Sequence, residues 1–341
     1  MKKMLMMAGV AMMSSAGVVF AQGLQQSPCP PGSTGALGIP DQQKAAQDAC
    51  TMAYDVYQFM APQLGVALAG GNATIGQGSV LGGLGHFSIG VRGNVFSGQL
   101  PQVDQFNPSP NGAQRTTLPS KSQVLGLPTA DAAIGIFKGI PLALTNIGGI
   151  DALVSATYVP TINSSNVSIK PSSSTQFGYG ARVGLLSESL VVPGVSLTYL
   201  KRDLPTTDII GSTNTGDTLS VLNTKVNTTA WRLVASKSFI IFGLVAGVGQ
   251  DKYDQSASIS ATVHETFNGV PISGSTSVPS TSQTLTRTNM FADVSLNLPL
   301  FKIVGEVGQA SGGTVNTFNS FSGGSADRSQ VYGSVGLRLS W

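Results

Sequence analysis

Apolar and polar side chains alternate with a period of two in ten separate segments between residue 84 and the carboxyl end. Successive side chains of a β-strand point to opposite faces, so each segment predicts a strand with one apolar and one polar face. The last segment shows the pattern best. Its apolar face comprises Val331, Val335, Leu337, Leu339 and Trp341. Its polar face comprises Tyr332, Ser334, Gly336, Arg338 and Ser340.

The connections between these segments alternate between long and short. Bacterial outer-membrane barrels have even strand numbers, short periplasmic turns and long external loops, and a tilted strand of roughly 9–11 residues crosses the bilayer. We therefore predict an all-β fold, a transmembrane antiparallel β-barrel over residues 84–341. Ten strands are expected, with eight or twelve as alternatives. The alternating segment 256–282 either extends two strands above the membrane or adds a hairpin.

Composition indicates which face of this barrel meets lipid. Only 10% of the residues are charged, against the roughly 25–35% of a soluble surface. A Lys or Arg at mid-bilayer depth costs about 2–4 kcal/mol, and the apolar faces carry no charge. We therefore expect the charged residues inside, as a satisfied polar network or as a basic constriction that selects anions or polar solutes. The candidates for lining the lumen are Arg92, Arg182, Arg232, Arg287, Arg338, Asp151, Asp293 and Glu306.

Aromatic residues of the predicted strands suit the girdles at the two membrane interfaces. The girdle candidates are Tyr158, Tyr179, Tyr199, Trp231 and Trp341, with ordinary sheet packing as the alternative. The segment that ends on Trp341 resembles the closing strand of Gram-negative outer-membrane β-barrel proteins. The resemblance implies location in the cell outer membrane, contact with outer-membrane lipids, and recognition of this strand by the barrel assembly machinery.

The amino-terminal part predicts a signal peptide over residues 1–21. Lys2 and Lys3 precede an apolar run, and cleavage is expected after Ala21. An uncleaved membrane helix is the alternative. Residues 22–83 are expected to form a periplasmic or plug segment, either inserted into the lumen from the periplasmic side or lying beneath the barrel.

Within residues 22–83, helical periodicity predicts a helix over residues 41–60 that Pro62 ends, followed by a short strand near residues 64–68. Cys29 and Cys50 are the two cysteines of the chain. In an oxidising compartment we expect a disulfide between them, worth roughly 3 kcal/mol for a loop of about 22 residues. Two free thiols are the alternative.

A Gly-rich stretch, Gly65 to Gly93, lies ahead of the first predicted strand and lacks the Gly-Lys-Ser/Thr signature of nucleotide-binding loops. In its position it resembles the N-terminal plug of long-chain fatty-acid transporter barrels. Asn72 lacks the following Pro of that plug motif, and ten strands are fewer than in that family. The resemblance thus covers the arrangement alone, with a hydrophobic-ligand conduit as one implied function.

Candidate catalytic chemistry is limited to one pair. His86 and Ser88 lie two residues apart, which resembles the base and nucleophile of outer-membrane phospholipases and lipid A deacylases. Ile89 follows where the phospholipase pattern has Asn, and no third member is identifiable. His264 is expected in a solvated loop. We expect no enzyme activity, no cofactor and no metal site, and the net charge of +3 is too small to predict nucleic-acid binding.

The sequence favours passive transport or binding of a small solute, of unknown identity, through a narrow polar lumen. A structural or surface-interaction barrel that acts through its long extracellular loops is the alternative. A lipid hydrolase using His86 and Ser88 is the third hypothesis.

Overall fold

The structure is a computed structural model that describes residues 26–31, 33–34, 40–267 and 270–341, so the predicted signal peptide lies outside the described residues. Ten antiparallel strands form the wall of the molecule, and each lies where alternation predicts a strand. They are β1 (Phe87–Pro101), β2 (Ser120–Phe137), β3 (Gly149–Tyr158), β4 (Thr175–Leu186), β5 (Gly194–Asp203), β6 (Thr218–Ser238), β7 (Phe242–Phe267), β8 (Val270–Asn297), β9 (Lys302–Ala310) and β10 (Gln330–Ser340).

Each strand pairs with its neighbours along the chain, and β10 pairs with β1, so the sheet closes into a barrel. At the seam, the backbone N–H groups of Phe87 and Trp341 each donate to the other residue's carbonyl at 3.0 Å. The expected ten-stranded barrel is therefore confirmed. Short turns and both ends of the barrel chain lie at one end, and long loops lie at the other. By the rule for outer-membrane barrels, these are the periplasmic (inner) and external (outer) ends.

Shorter elements decorate the barrel. Three of them extend the sheet above β6, and Thr117–Leu118 pairs in parallel with Ser320–Phe321 between two long loops. The remaining pairs form a small hairpin in one inner turn and a strand addition to β8. Their bounds are Ser33–Thr34, Val103–Gln105 (a 3₁₀ helix), Thr117–Leu118, Ile140–Leu142, Thr145–Ile147, Ile162–Asn163, Val167–Pro171, Thr207–Ser212 and Ser320–Phe321.

The outer surface of the barrel is apolar over the height of a membrane. On β4 the outward residues are Phe177, Tyr179, Ala181, Val183 and Leu185, all exposed. On β7 the outward residues change from apolar to polar at Gln250, and on β8 the same change occurs at Thr288. This boundary marks the outer membrane surface, because an exposed apolar belt is stable in lipid and not in water. The chain is an outer-membrane β-barrel.

Beyond that boundary β7 and β8 continue as a long hairpin above the membrane. The sequence left open whether residues 256–282 extend strands or add a hairpin, and the structure shows the extension. Inward positions of this hairpin remain apolar, for example Ile259 and Val263. Among the helices of the described residues, none has the length and apolarity of a membrane span.

One helix, α1 (Pro40–Ala69), precedes the barrel strands. A helix is confirmed in this region, but the predicted end at Pro62 and the short strand near residues 64–68 are wrong. Pro62 removes one backbone hydrogen bond and costs about 3 kcal/mol in a helix interior. The helix continues because Val66 to Ala69 are buried inside the barrel, where a non-helical backbone would lack hydrogen-bond partners.

The position of α1 also differs from the expectation of a periplasmic plug. Its amino-terminal half lies among the long loops at the outer end, and its last residue, Ala69, lies within the barrel. Residues 70–86 then descend through the lumen to the inner end, where β1 begins. The apolar helix fits the outer half because the inward faces there are apolar, whereas the inner half is lined by charges.

Candidate functional site: the filled lumen

The outer half of the lumen is filled by α1 through apolar contacts. Phe59 of the helix stacks on Phe321 of a long loop, with ring centroids 4.0 Å apart. The helix backbone at Gly65 packs against the ring of Tyr253 on β7, and a Cβ at Gly65 would approach that ring to 2.7 Å. Because a helix satisfies its own backbone hydrogen bonds, the barrel wall needs to offer it only apolar side chains.

Two buried carboxylates tie the helix to the long loops. Asp48 accepts hydrogen bonds from the N–H groups of Ser109 (2.8 Å) and Gln114 (3.4 Å). Asp55 accepts from the N–H groups of Phe318 and Asn319, both at 2.8 Å. Burial raises the pKa of each carboxyl to about 6, although the backbone donors oppose that shift. Residues 40–55 and the loops 102–119 and 311–329 therefore form one connected cap, called here the outer cap.

The predicted disulfide is present and joins the arm before α1 to the outer cap. Cys29 and Cys50 are joined with a Cα–Cα distance of 6.0 Å, and the described residues include no free cysteine. Gln47 Nε2 donates to the Cys29 carbonyl at 2.9 Å, so the arm before α1 is also held by a hydrogen bond. The bridge fastens this arm to the helix at the outer end of the barrel.

The inner half of the lumen is filled differently, by the end of α1 and a non-helical stretch with several bends, whose main chain is bound by charged side chains. We call residues 69–81 the lumen segment. The charged residues around it are named the lumen clamp, and they are Arg92, Asp131, Asp151, Arg182, Arg202, Arg232, Asp251, Asp293, Glu306 and Arg338. All of them are buried and all come from inward positions of barrel strands.

Arginines of the clamp donate to carbonyl oxygens of the lumen segment. Arg202 reaches the carbonyls of Ala69 (3.0 Å) and Ala73 (3.3 Å). Arg232 reaches those of Gly70 (3.2 Å) and Gly71 (3.1 Å). Further along, the bonded carbonyls are those of Asn72 (to Arg92, 2.5 Å), Ile75 (to Arg338, 3.2 Å) and Ser79 (to Arg182, 2.9 Å).

Carboxylates of the clamp accept from N–H groups of the same segment. Glu306 accepts from the Asn72 N–H at 2.7 Å, and Asp293 accepts from the Gly76 N–H at 2.8 Å. The side-chain amide of Asn72 also donates to Asp293 at 2.7 Å. Asp293 and Glu306 lie directly opposite each other on β8 and β9, a pairing of like charges that is destabilising by itself. Donors from the lumen segment therefore offset the repulsion between two carboxyl groups that the barrel strands place opposite each other.

Ion pairs within the clamp balance most of the remaining charge. Arg202 contacts Asp131 at 2.7 Å, and Arg232 contacts Asp251 at 2.5 Å. Arg92 lies 3.1 Å from Asp131, and Arg182 lies 3.5 Å from Asp151. Hydrogen bonds to charged groups contribute roughly 1.5–3 kcal/mol each. The clamp therefore holds the lumen segment firmly while recognising mainly its backbone.

Glycines allow this close approach. A Cβ at Gly71 would lie 2.6 Å from the Glu306 carboxylate. Gly76 has a left-handed φ of +69°, and a Cβ there would lie 2.7 Å from Val304. The Gly-rich composition of this stretch thus reflects a backbone that must pass close to the barrel wall.

All eight residues proposed to line the lumen lie buried on inward faces. Arg287 is set apart from the clamp, since its hydrogen bond is to the Arg328 carbonyl at 3.0 Å near the outer end. Sequence reasoning missed Asp131, Arg202 and Asp251, which continue the polar face just where each predicted strand was weak or ended. It also missed Asn72, whose role depends on the path of the lumen segment.

A cavity of about 290 Å³ lies at the inner end, below the lumen segment. It is lined by polar groups that include Ser79, Glu188, Ser236 and Arg338. Cavities beside α1 measure only about 10 and 30 Å³, room for one or two water molecules. The inner end is therefore a polar vestibule, and the outer half is closely packed.

The proposed catalytic pair is not assembled. His86 is exposed just before β1, Ser88 is buried inside the barrel, and no hydrogen bond joins them in the described part of the chain. His264 lies in the β7 extension with an exposed side chain, rather than in a loop. No cluster of three or more potential metal ligands occurs among the described residues.

The proposed girdle residues are all exposed on the outer surface. Tyr199 and Trp231 are cross-strand neighbours on β5 and β6 in the outer half. Trp341 lies at the inner rim, where it stacks on Phe87 with centroids 4.8 Å apart. A second stacked pair, Phe239 and Phe242, lies at the same rim at 4.5 Å, and sequence reasoning did not identify it.

No protein-family model matches this sequence, and no curated protein matches it. Solved structures with a similar barrel include the transport unit of the autotransporter AIDA-I from Escherichia coli. It is 9% identical, covers 86% of this chain and 99% of its own, and has a TM-score of 0.34.

The toluene transporter TodX of Pseudomonas putida is 10% identical and covers 75% of this chain and 88% of its own, with a TM-score of 0.29. An anion-selective porin from Comamonas acidovorans is 10% identical and covers 75% and 98%, with a TM-score of 0.18. The closed barrel and its exposed apolar belt are the features that place this chain in the outer membrane.

Proposed function

We propose that this protein is a sealed outer-membrane barrel that acts at the cell surface through its outer cap and the other long loops. The observation that carries the proposal is the engagement of the lumen clamp. Its charges bind the protein's own main chain, so they are not free to line a water-filled path for a solute. The tight packing of α1 in the outer half supports the same conclusion.

The outer cap suits contact with a partner because it is preorganised. Asp48, Asp55 and the Cys29–Cys50 bridge hold helix and loops together, so little conformational entropy is lost when the surface binds. The loops around it are rich in Ser, Thr, Asn and Gly, which supply hydrogen-bonding groups with little charge.

Passive passage of a small solute is the second candidate, and the polar vestibule at the inner end favours it. In this case a solute would enter beside Arg338 and Glu188, and the lumen segment would have to move before passage. This function requires an open state that the contacts of the lumen clamp oppose.

Two measurements separate these functions. Refolded full-length protein in planar bilayers and in liposomes is expected to give no stable conductance and no swelling in sugars or amino acids.

In cells, replacing residues 106–113 with a short Gly-Ser linker is expected to abolish cell–cell or cell–surface adhesion as fully as loss of the gene. Outer-membrane permeability is expected to stay constant. Steady conductance, or solute uptake that follows expression of the protein, would contradict the proposal and support the second candidate.

A further inference from the structure

Beyond the proposed function, we infer that the barrel carries the amino-terminal arm of its own chain across the outer membrane, so that residues before α1 are on the cell surface. The lumen is the path, and the lumen clamp is a binding site for non-helical polypeptide main chain.

The described part of the arm lies at the outer end of the barrel. Ser33–Thr34 pairs with Gly274 and Ser275 near the top of the β8 extension. The Thr276 hydroxyl donates to the Pro30 carbonyl at 3.2 Å. Since β8 crosses the apolar belt below Thr288, these contacts lie well above the membrane surface.

Chain direction then fixes the route. From the arm, the chain runs inward as α1, continues as the lumen segment, and emerges at the inner end, where β1 begins. The barrel is closed by strand pairing on every side, including the β10–β1 seam. The arm lies at the outer end of the barrel, and β1 begins at the inner end. Because the barrel wall is closed, the chain can connect these two points only through the lumen.

The chemistry of the clamp suits this path. Its arginines and carboxylates bind mostly backbone carbonyl and N–H groups, which every residue offers apart from the missing N–H of proline. Such a site can hold successive stretches of a non-helical chain as the barrel closes around it. The Cys29–Cys50 bridge lies at the outer end, where it fastens the arm to α1 and prevents the arm from withdrawing as a single strand.

Labelling of intact cells tests the inference without altering the chain. A membrane-impermeant amine reagent is expected to modify Lys44, which is exposed in the outer cap. Lys138, exposed at an inner turn, is expected to react only after the outer membrane is permeabilised. Mass spectrometry of the two peptides gives the comparison. Modification of Lys138 but not Lys44 on intact cells would overturn the inference.

Epitope insertions give a second, independent test in the full-length chain. An epitope between Gln26 and Ser27 is expected to bind antibody on intact cells. The outer control is an insertion between Thr215 and Gly216 in a long loop, and the inner control is one between Leu190 and Val191 in a short turn.

The two controls separate the possible failures. If the loop epitope is reached and the Gln26 epitope is not, the inference is wrong and the proposed surface function is confined to the long loops. If only the Leu190 epitope is reached, the orientation of the barrel and both proposals are wrong.

Discussion

The outer and inner halves of the lumen are filled by the same chain in two different ways. In the outer half a helix packs against apolar side chains such as Phe321 and Tyr253. In the inner half a non-helical segment is bound by arginines and carboxylates. The difference follows from the backbone, because a helix satisfies its own N–H and C=O groups and a non-helical segment does not. The backbone conformation of the chain inside the lumen thus determines whether the barrel wall must present apolar or charged side chains to it.

The largest effect is expected from breaking a clamp ion pair. Arg232→Met leaves Asp251 buried without its cation and removes the donors to Gly70 and Gly71. Removal of one partner from a buried pair typically costs about 3–5 kcal/mol, and the free energy of unfolding in detergent should fall by that amount.

The matched control for this variant is Lys252→Met, which breaks an exposed pair with Asp254 on the same strand. It should cost no more than about 1 kcal/mol. Equal losses in the two variants would mean that the clamp charges are solvated and do not hold the lumen segment.

In the outer half, the packing of α1 inside the barrel should depend on apolar volume. Phe59→Ala removes the ring stacked on Phe321 and leaves a cavity, with an expected loss of about 3 kcal/mol in unfolding free energy. Phe59→Leu should recover much of the loss. Because the halves are held by separate contacts, amide exchange of Asn72 and Gly76 should stay slow in both variants. Release of these amides in Phe59→Ala would show that the halves are coupled.

Close approach in the inner half is tested by adding one methyl group. Gly71→Ala places a Cβ against the Glu306 carboxylate, which can move aside only by giving up its bonds from the Asn72 N–H and the Ser334 hydroxyl, and overpacking of this kind costs about 1–3 kcal/mol. Gly305→Ala is the control, because Gly305 neighbours Glu306 on β9 but has open space on the lipid side. Unfolding free energies of the two variants give the comparison. A neutral Gly71→Ala would mean that the segment lies farther from the wall.

The smallest expected effect is the pH dependence of the outer cap. The folded pKa of Asp55 is about 6, above the unfolded value of 3.8, so the folded state binds more protons between about pH 4 and 6. Stability of the cap should therefore fall as pH rises through this window, by about 1–3 kcal/mol, and change little above pH 7. Hydrogen exchange of the α1 amides, corrected for intrinsic rates, measures this change. Asp55→Asn should reduce the dependence to the share contributed by Asp48, because burial raises the pKa of that carboxyl to about 6 as well.

The barrel could be predicted from sequence because its signals are local. Alternation of period two located all ten strands, and the switch from apolar to polar at Gln250 marks where β7 leaves the membrane. The inward position of Arg182 or Asp293 follows from the same alternation. Disulfide pairing was equally accessible, since Cys29 and Cys50 have no other cysteine to pair with.

The filling of the lumen by α1 and the lumen segment could not be predicted in the same way, because its contacts join residues that are distant in sequence. Asn72 meets Asp293 and Glu306 through a path that no local pattern encodes. Pro62 is an ordinary stop signal for a helix, yet enclosure in the barrel overrides it. The cross-strand carboxylates Asp293 and Glu306 are the one clue, since two buried like charges require donors from elsewhere.

Amide hydrogen exchange of the lumen segment shows whether clamped main chain seals the lumen. Asn72, Gly76 and Leu81 lie outside helices and strands, yet their N–H groups donate to Glu306, Asp293 and Asp151. We expect these amides to exchange as slowly as those of the barrel strands in the refolded full-length protein. Exchange at the rate of an exposed loop, with the strands still protected, would contradict a lumen sealed by clamped main chain.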